Sequence, residues 1–287
     1  MLQASMIGNT IREEKRGKAT LRLLKSGTSY QGVVLPPSGG RIGPFHDEDP
    51  DRLWQRLQDE AGKAAANYTG FDGARARFLR FFPEGFAGSS YAEWERNFKV
   101  AAQAKLNATA PLAEAATGSG FGEAILSVFY ATNLLSPFEK ARLPGTLRGP
   151  SADAFVRAAA RFAQGGGEPG LLDMRRVLQS QDNAKWTVAT YLPFLWRPDA
   201  HMFLKPEVTK DFAGRVGHRF ANDYDARLDM KDYDSLLDLV RTTKHELADL
   251  HPRDGIDVQS FIWIVGGYTD ADVPPGSRGP SEGTANS

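Results

Sequence analysis

The chain has 287 residues, in which 35 Lys and Arg residues balance 35 Asp and Glu residues, 41% of residues are hydrophobic and none is cysteine. This composition is typical of a globular protein with a sizeable core, and it excludes disulfides, thiolate catalysis and cysteine-ligated metal centres. No apolar stretch is long enough for a signal peptide or a membrane span, and the lack of cysteine fits a reducing compartment. We therefore expect a cytoplasmic protein with no membrane partner.

Positive charge is concentrated near the amino end. Residues 1–45 contain seven basic and two acidic residues, an excess of five positive charges that the remaining chain balances. A basic face of this kind is typical of contact with phosphates. The predicted binding residues of this segment are Arg12, Lys15, Arg16, Lys18, Arg22 and Lys25. Arg75, Arg77 and Arg80, which alternate with aromatic residues, are predicted to extend the basic surface.

The first predicted elements form a small basic α+β module over residues 1–70. Apolar and polar residues alternate over 20–24, turn residues follow at 25–28, and residues 30–35 are rich in β-formers, which predicts a β-hairpin. Leu53, Trp54, Leu57 and Ala61 recur at helical spacing and predict a helix over 49–66.

Beyond Gly70 the pattern predicts a larger, mainly helical domain over 71–271. Helices are predicted at 121–135, 151–163, 186–196, 207–216 and 233–250, with capping boxes at Ser90 and Glu93 and at Ser136 and Glu139. Pro193 should kink or end its helix. The glycines at 165–167 indicate a possible internal boundary, and the polar residues 272–287 a disordered tail. The fold class is therefore predicted to be α+β, with a hairpin and helix module before the helical domain.

The five histidines do not form a recognisable metal site. His245 and His251, the closest pair in sequence, are six residues apart and would lie on different faces of a helix, unlike the pair in a HExxH motif. We interpret the histidines as solvated or capping residues, and no cofactor is predicted from them.

Residues 197–206 are rich in functional residue types. Asp199 could bind a metal, and Lys205, held extended by Pro206, could bind an anion. The favoured interpretation is structural, with residues 202–204 filling the core and Lys205 in water. Asp199 with Asp229 and Lys231 also matches the letters of a metal-dependent nuclease motif, in which two acids hold a divalent cation and a lysine stabilises charge.

A helix is also expected after Asp254, which can cap it with Asp257 in its first turn. Gln259 and Trp263 would share one face of this helix and could contact or stack on a base. Packing of the whole helix into the core is the favoured interpretation.

Our leading hypothesis is an accessory or binding protein that associates with DNA or RNA and has no clear catalytic motif. The first alternative is a metal-dependent nuclease or phosphodiesterase that uses Asp199, Asp229 and Lys231, the weak catalytic candidates of this chain, with a divalent metal as its only cofactor. The second alternative is a scaffold that binds another protein. The three hypotheses differ in the surface they require: a basic face, an acidic metal cleft, or an exposed apolar patch.

Overall fold

The computed structural model describes residues 9–16, 19–35, 41–64, 68–268 and 272. A four-stranded antiparallel sheet precedes a mostly helical region. Of the described residues, 63% are helical and 11% lie in strands. The predicted α+β class is confirmed. The chain forms two compact units, and the boundary between them lies between Arg80 and Phe81. Lys18, a predicted binding residue, lies outside the described residues. So do residues 273–287 of the predicted disordered tail.

The sheet contains twice as many strands as the predicted hairpin. Its strands, in the spatial order β1-β2-β3-β4, are β1 (Asn9–Arg16), β2 (Ala19–Ser26), β3 (Ser29–Leu35) and β4 (Ile42–Asp47). Strands β2 and β3 are the predicted hairpin, and Gly27 in their turn has a φ of 63°, which favours glycine. The alternation rule missed β1 because its last five residues, 12–16, are all charged, and β4 because it contains Gly43 and Pro44.

The first unit has its own core. Helix α1 (Pro50–Ala64) covers the face of the sheet that carries Leu21, Leu23 and Val34, and it contributes Leu53, Trp54 and Leu57. The glycine at position 32 permits this packing, because a Cβ atom there would lie 2.6 Å from Cδ1 of Leu57. Helix α2 (Gly70–Phe81) follows.

The second unit is built from helices. In chain order they are α3 (Ser89–Tyr91), α4 (Asn97–Thr109), α5 (Leu112–Ala115), α6 (Gly122–Tyr130), α7 (Pro137–Leu147), α8 (Ala152–Ala163), α9 (Gly167–Ser180), α10 (Trp186–Trp196), α11 (Pro206–Arg215), α12 (Phe220–Asp223), α13 (Met230–Glu246) and α14 (Gly255–Gly267). A π-helical turn, Ala92–Arg96, joins α3 to α4. Short 3₁₀ turns occupy Gly85–Ala87 and Ala248–Leu250.

The centre of this unit is α10, of which every residue is buried. It packs against α4 and α8, and it continues through Pro193 to end one turn later at Trp196. The glycines at 165 and 166 form the connection between α8 and α9, and these two helices pack against each other. Among the residues described, no helix has the length and apolarity needed to cross a membrane.

Two of the three predicted caps are confirmed. Ser136 and Glu139 form a reciprocal capping box at α7, and the Asp254 carboxylate accepts hydrogen bonds from the backbone N–H groups of Ile256 and Asp257 at α14. The box at Ser90 is wrong, because Ser90 lies inside α3, which is preceded by Gly88. An earlier helix start therefore places Ser90 beyond the capping position.

Candidate functional site

The basic residues of β1 and β2 occupy both faces of the sheet. The Cα register pairs Lys15 with Thr20 and Arg12 with Leu23, and alternate residues of a strand point to opposite faces. Lys15 and Arg22 therefore share one face, whereas Arg12 and Lys25 share the face that α1 covers. Arg12, Lys15 and Lys25 are exposed.

Two of these arginines have partners within the first unit. The Arg12 guanidinium lies 4.2 Å from the centre of the Trp54 ring, a cation–π distance. Nε of Arg22 donates to Oε2 of Glu13 at 2.7 Å, and both side chains remain partly exposed. An exposed ion pair of this kind is weak, so Arg22 can exchange Glu13 for another anion at little cost.

The arginines of α2 differ from those of the strands in exposure. Arg77 is only 8% exposed, and Arg75 and Arg80 are partly buried. Phe78, Phe81 and Phe82, the aromatic residues next to these arginines in the sequence, are also buried. Most of this stretch therefore contributes to packing.

The acidic candidates have structural roles in the second unit. The Asp199 carboxylate is bonded to Arg197 at 3.0 and 3.1 Å, and that hydrogen bonding lowers the pKa of Asp199. Asp229 caps α13 by accepting from the backbone N–H of Lys231 at 3.0 Å. Asp229 and Lys231 line an open cavity to which Asp223 and Asp234 also contribute. Across the ranges that the structure covers, no group of three or more His, Asp or Glu side chains could hold a metal ion.

The histidines include one that is not solvated. His201 is 9% exposed, with Nδ1 3.0 Å from the Tyr233 hydroxyl and Nε2 3.2 Å from the carbonyl oxygen of Ala163. Burial lowers the pKa of His201, which favours the neutral ring. His218 behaves as a capping residue, because its Nδ1 accepts from the backbone N–H of Phe220.

A buried network of charges fixes the start of α14. Asp257, which is fully buried, accepts hydrogen bonds from Tyr91 at 2.7 Å, Arg96 at 2.8 Å and Arg253 at 2.9 Å. Arg96 also binds both carboxylate oxygens of Asp254. Burial alone would raise the pKa of Asp257, but the hydrogen bonds and the charge of Arg96 hold it below its ordinary value.

A second buried pair, Glu95 in the π-helical turn and Lys99 in the first turn of α4, also contacts α14. Nζ of Lys99 lies 2.7 Å from Oε2 of Glu95 and 2.7 Å from Oγ of Ser260, and Lys99 is only 1% exposed. The Tyr268 hydroxyl donates to the other Glu95 oxygen at 2.6 Å. Burial lowers the pKa of Lys99, and the charge of Glu95 opposes that shift. The position of α14 relative to α4 is therefore fixed by paired charges.

Among the described residues, one buried side-chain atom of α14 has no hydrogen-bond partner. Gln259 is 4% exposed, and its Oε1 accepts no hydrogen bond from any described residue. Gln259 lines two small cavities, of about 20 and 10 Å³, which also share Lys205 and Trp263 in their walls. Nζ of Lys205 lies 4.3 Å from the centre of the Trp263 ring. An ammonium, an amide and an indole thus meet at one cavity wall.

Lys205 lies at the end of the segment that precedes α11, and this segment positions it at the cavity wall. Met202, Phe203 and Leu204 are at most 1% exposed, which confirms that they fill the core. Lys205 is half-buried beside Trp263 and not in open water, so that part of the structural interpretation is wrong. Burial lowers the pKa of Lys205, and the charge of Glu139 opposes it.

Sequence reasoning missed the residues that hold α14 in position. Arg96 and Lys99 contact residues about 160 positions away in the chain, which no local pattern can show. One signal was available, since Glu95 and Lys99 have the i, i+4 spacing of a helical ion pair.

Comparisons of this chain with models of known protein families, with curated proteins and with solved structures gave no match.

Proposed function

We propose that the protein binds nucleic acid without cleaving it, through the cationic side chains of β1 and β2. The observation that carries this proposal is the exposure of Arg12, Lys15 and Lys25 on two adjacent strands. Phosphate contacts supply most of the sequence-independent affinity for nucleic acid.

The edge position of β1 supports the proposal although Arg12 and Lys15 lie on opposite faces of the sheet. In the described sheet β1 pairs with β2 alone, so one side of its backbone is unpaired. Side chains from both faces flank such an edge, and backbone N–H groups also donate to phosphates. A phosphate backbone that follows β1 can therefore reach Arg12 and Lys15 together.

The charge balance of the two strands also favours an anion. Together β1 and β2 carry five basic residues and two acidic ones. One of the acids, Glu13, is already paired with Arg22. The net charge of this pair of strands is positive although that of the whole chain is zero.

The test is a binding titration with labelled duplex DNA at two salt concentrations. Three phosphate contacts predict that affinity falls about 40-fold between about 50 and about 200 mM salt. In the double variant Lys15→Glu/Lys25→Glu the affinity at low salt should fall. The slope of log affinity against log salt concentration should decrease by the contribution of about two phosphate contacts.

The matched control is Lys185→Glu/Lys210→Glu, which makes the same charge change at exposed lysines of the second unit. It should bind with nearly wild-type affinity and salt dependence. Absence of binding by the wild type at low salt, or equal losses in the two double variants, would refute the proposal.

A further inference from the structure

Arg12 covers an aromatic ring at the edge of the sheet. Its guanidinium lies 4.2 Å from the centre of the Trp54 ring. Arg12 is exposed, whereas Trp54 is only 4% exposed and belongs to the core between α1 and the sheet. An exposed side chain over a buried ring lies on the solvent side of that ring. The outer face of the indole is therefore covered by Arg12.

Arg12 is held in this position by a weak contact. Among the described residues it has no salt bridge and no side-chain hydrogen bond. An exposed cation–π contact corresponds to a factor of about two to five in an equilibrium constant. Arg12 can therefore leave the ring for a phosphate at small cost.

Trp54 has the properties of a stacking platform when Arg12 leaves. The indole is fixed by its core neighbours, which include Leu53 and Leu57 of the same helix. Stacking of a base on an aromatic side chain corresponds to a factor of about five to 150 in affinity. This factor exceeds that of the cation–π contact, so exchange of the guanidinium for a base is favourable.

The indole N–H group also lacks an acceptor. Nε1 of Trp54 is buried and has no hydrogen-bond partner among the described residues. A buried donor without an acceptor costs free energy, and native proteins leave few of them. A nucleotide carries acceptors in its phosphate and in its base, so a nucleotide on the ring would satisfy this donor.

The form of the nucleic acid follows from the platform. The bases of a duplex are already stacked on their neighbours, so only an unpaired base offers a free face. Every base has such a face, and no sequence preference is expected. Lys25 lies on the same face of the sheet as Arg12 and provides a second cation for the phosphates of that strand.

We propose that Trp54 stacks an unpaired base of single-stranded nucleic acid, and that Arg12 leaves the ring to bind a phosphate of the same strand. This inference rests on the proposed function, because it names the form of nucleic acid that the cationic strands hold. All of its residues belong to the first unit.

The experiment is a binding titration of the full chain with two labelled single strands of equal length at low salt. One strand is oligothymidine, and the other has the same backbone with abasic sites throughout. The strands carry the same phosphates and differ in their bases alone. We expect the strand with bases to bind at least about fivefold more tightly. Equal affinities, or tighter binding of the abasic strand, would overturn the inference.

Variants connect that preference to the indole. Trp54→Leu removes the ring but keeps an apolar side chain in the core, so it should bind the two strands equally. Arg12→Ala should weaken the binding of both strands, because it removes a phosphate contact, and should not reduce the preference for bases. A Trp54→Leu protein that keeps the preference would refute the role of the indole.

The matched control is Phe45→Leu, which removes another ring of the same core. The Arg56 guanidinium lies 4.5 Å from the centre of the Phe45 ring, and β4, which contains Phe45, is at the opposite edge of the sheet from β1. This variant should keep the preference for the strand with bases. Loss of the preference in both variants would show that it depends on the core and not on the platform.

The outcome is separable from that of the proposed function. Equal binding of the two strands would support the phosphate contacts and refute the stacking. A preference for bases in a protein that fails to bind duplex DNA would do the reverse, and no binding of any strand would refute both. The comparison on the wild-type protein stands even if Trp54→Leu fails to fold.

Discussion

At the scale of single residues, His201 connects pH to stability. Its neutral ring satisfies both nitrogens, with Nε2–H donating to the Ala163 carbonyl and Nδ1 accepting from the Tyr233 hydroxyl. Burial lowers its pKa in the folded protein, whereas in the unfolded chain it titrates near about 6.5. Below that pH the unfolded state binds a proton that the folded state does not, so the free energy of unfolding should decrease as pH falls.

The expected result is that urea unfolding requires less free energy at about pH 5.5 than at about pH 7.5. Replacement of His201 by Gln should remove much of that decrease, because Gln does not titrate. His245→Gln, at an exposed histidine, should keep it. The same decrease in wild type and His201→Gln would show that His201 is not responsible.

Residue chemistry could be predicted from the sequence only where the partner is nearby in the chain. The cap of Asp254 and the box of Ser136 with Glu139 were predictable because their partners lie within three residues. The unpartnered Oε1 of Gln259 was not, because its isolation depends on what α4 and the segment before α11 bring to it. The sequence indicated that Gln259 and Trp263 share a face but not that Lys205 joins them.

At the scale of elements, the contact between α6 and α7 depends on a glycine. Gly122 is the first residue of α6, and a Cβ atom there would overlap the carbonyl oxygen of Leu147, the last residue of α7. Backbone cannot move aside as a flexible side chain can. Gly122→Ala should therefore destabilise the protein by about 1–3 kcal/mol or more.

Gly145→Ala provides the control for that change. Gly145 lies within α7, and a Cβ atom there would meet only Oε1 of Gln181, at 3.8 Å. Alanine should stabilise that helix by about 0.5–1 kcal/mol. Chemical unfolding followed by circular dichroism would compare the two variants, and a Gly122→Ala protein as stable as wild type would contradict the expected overlap.

Element boundaries were predictable where periodicity was strong. The hairpin of β2 and β3 and helices α8 and α11 lie close to their predicted positions. Strand β1 was not predictable, because Arg12, Glu13, Glu14 and Lys15 give no alternation of apolar and polar residues, and only its pairing with β2 makes it a strand.

At the scale of the whole molecule, the charge is balanced in total and uneven in sequence. Residues 1–45 carry an excess of five positive charges and the remaining chain the opposite excess. A protein with zero net charge lacks the repulsion that keeps copies apart, and oppositely charged regions on two copies attract at low salt. We expect reversible self-association near neutral pH that disappears as salt is added.

Sedimentation velocity at about 20 and about 300 mM salt would measure it, since the Debye length falls severalfold over that range. The double variant Lys15→Glu/Lys25→Glu should remain monomeric at low salt, because it lowers the net charge by four and weakens the positive region. Sedimentation that is independent of salt would exclude this attraction. Because self-association would compete with DNA binding at low salt, the duplex titrations should be repeated at several protein concentrations.

The ammonium that rests on the indole of Trp263 gives the protein a built-in optical reporter. The emission of an indole responds to a charge held against its ring, so a change that draws Lys205 away would alter the fluorescence of this tryptophan. The chain has five tryptophans, and the difference between wild type and Trp263→Phe isolates the contribution of this one. Loss of the contact between Lys205 and Trp263, for example during unfolding, can thus be followed by intrinsic fluorescence without an added dye.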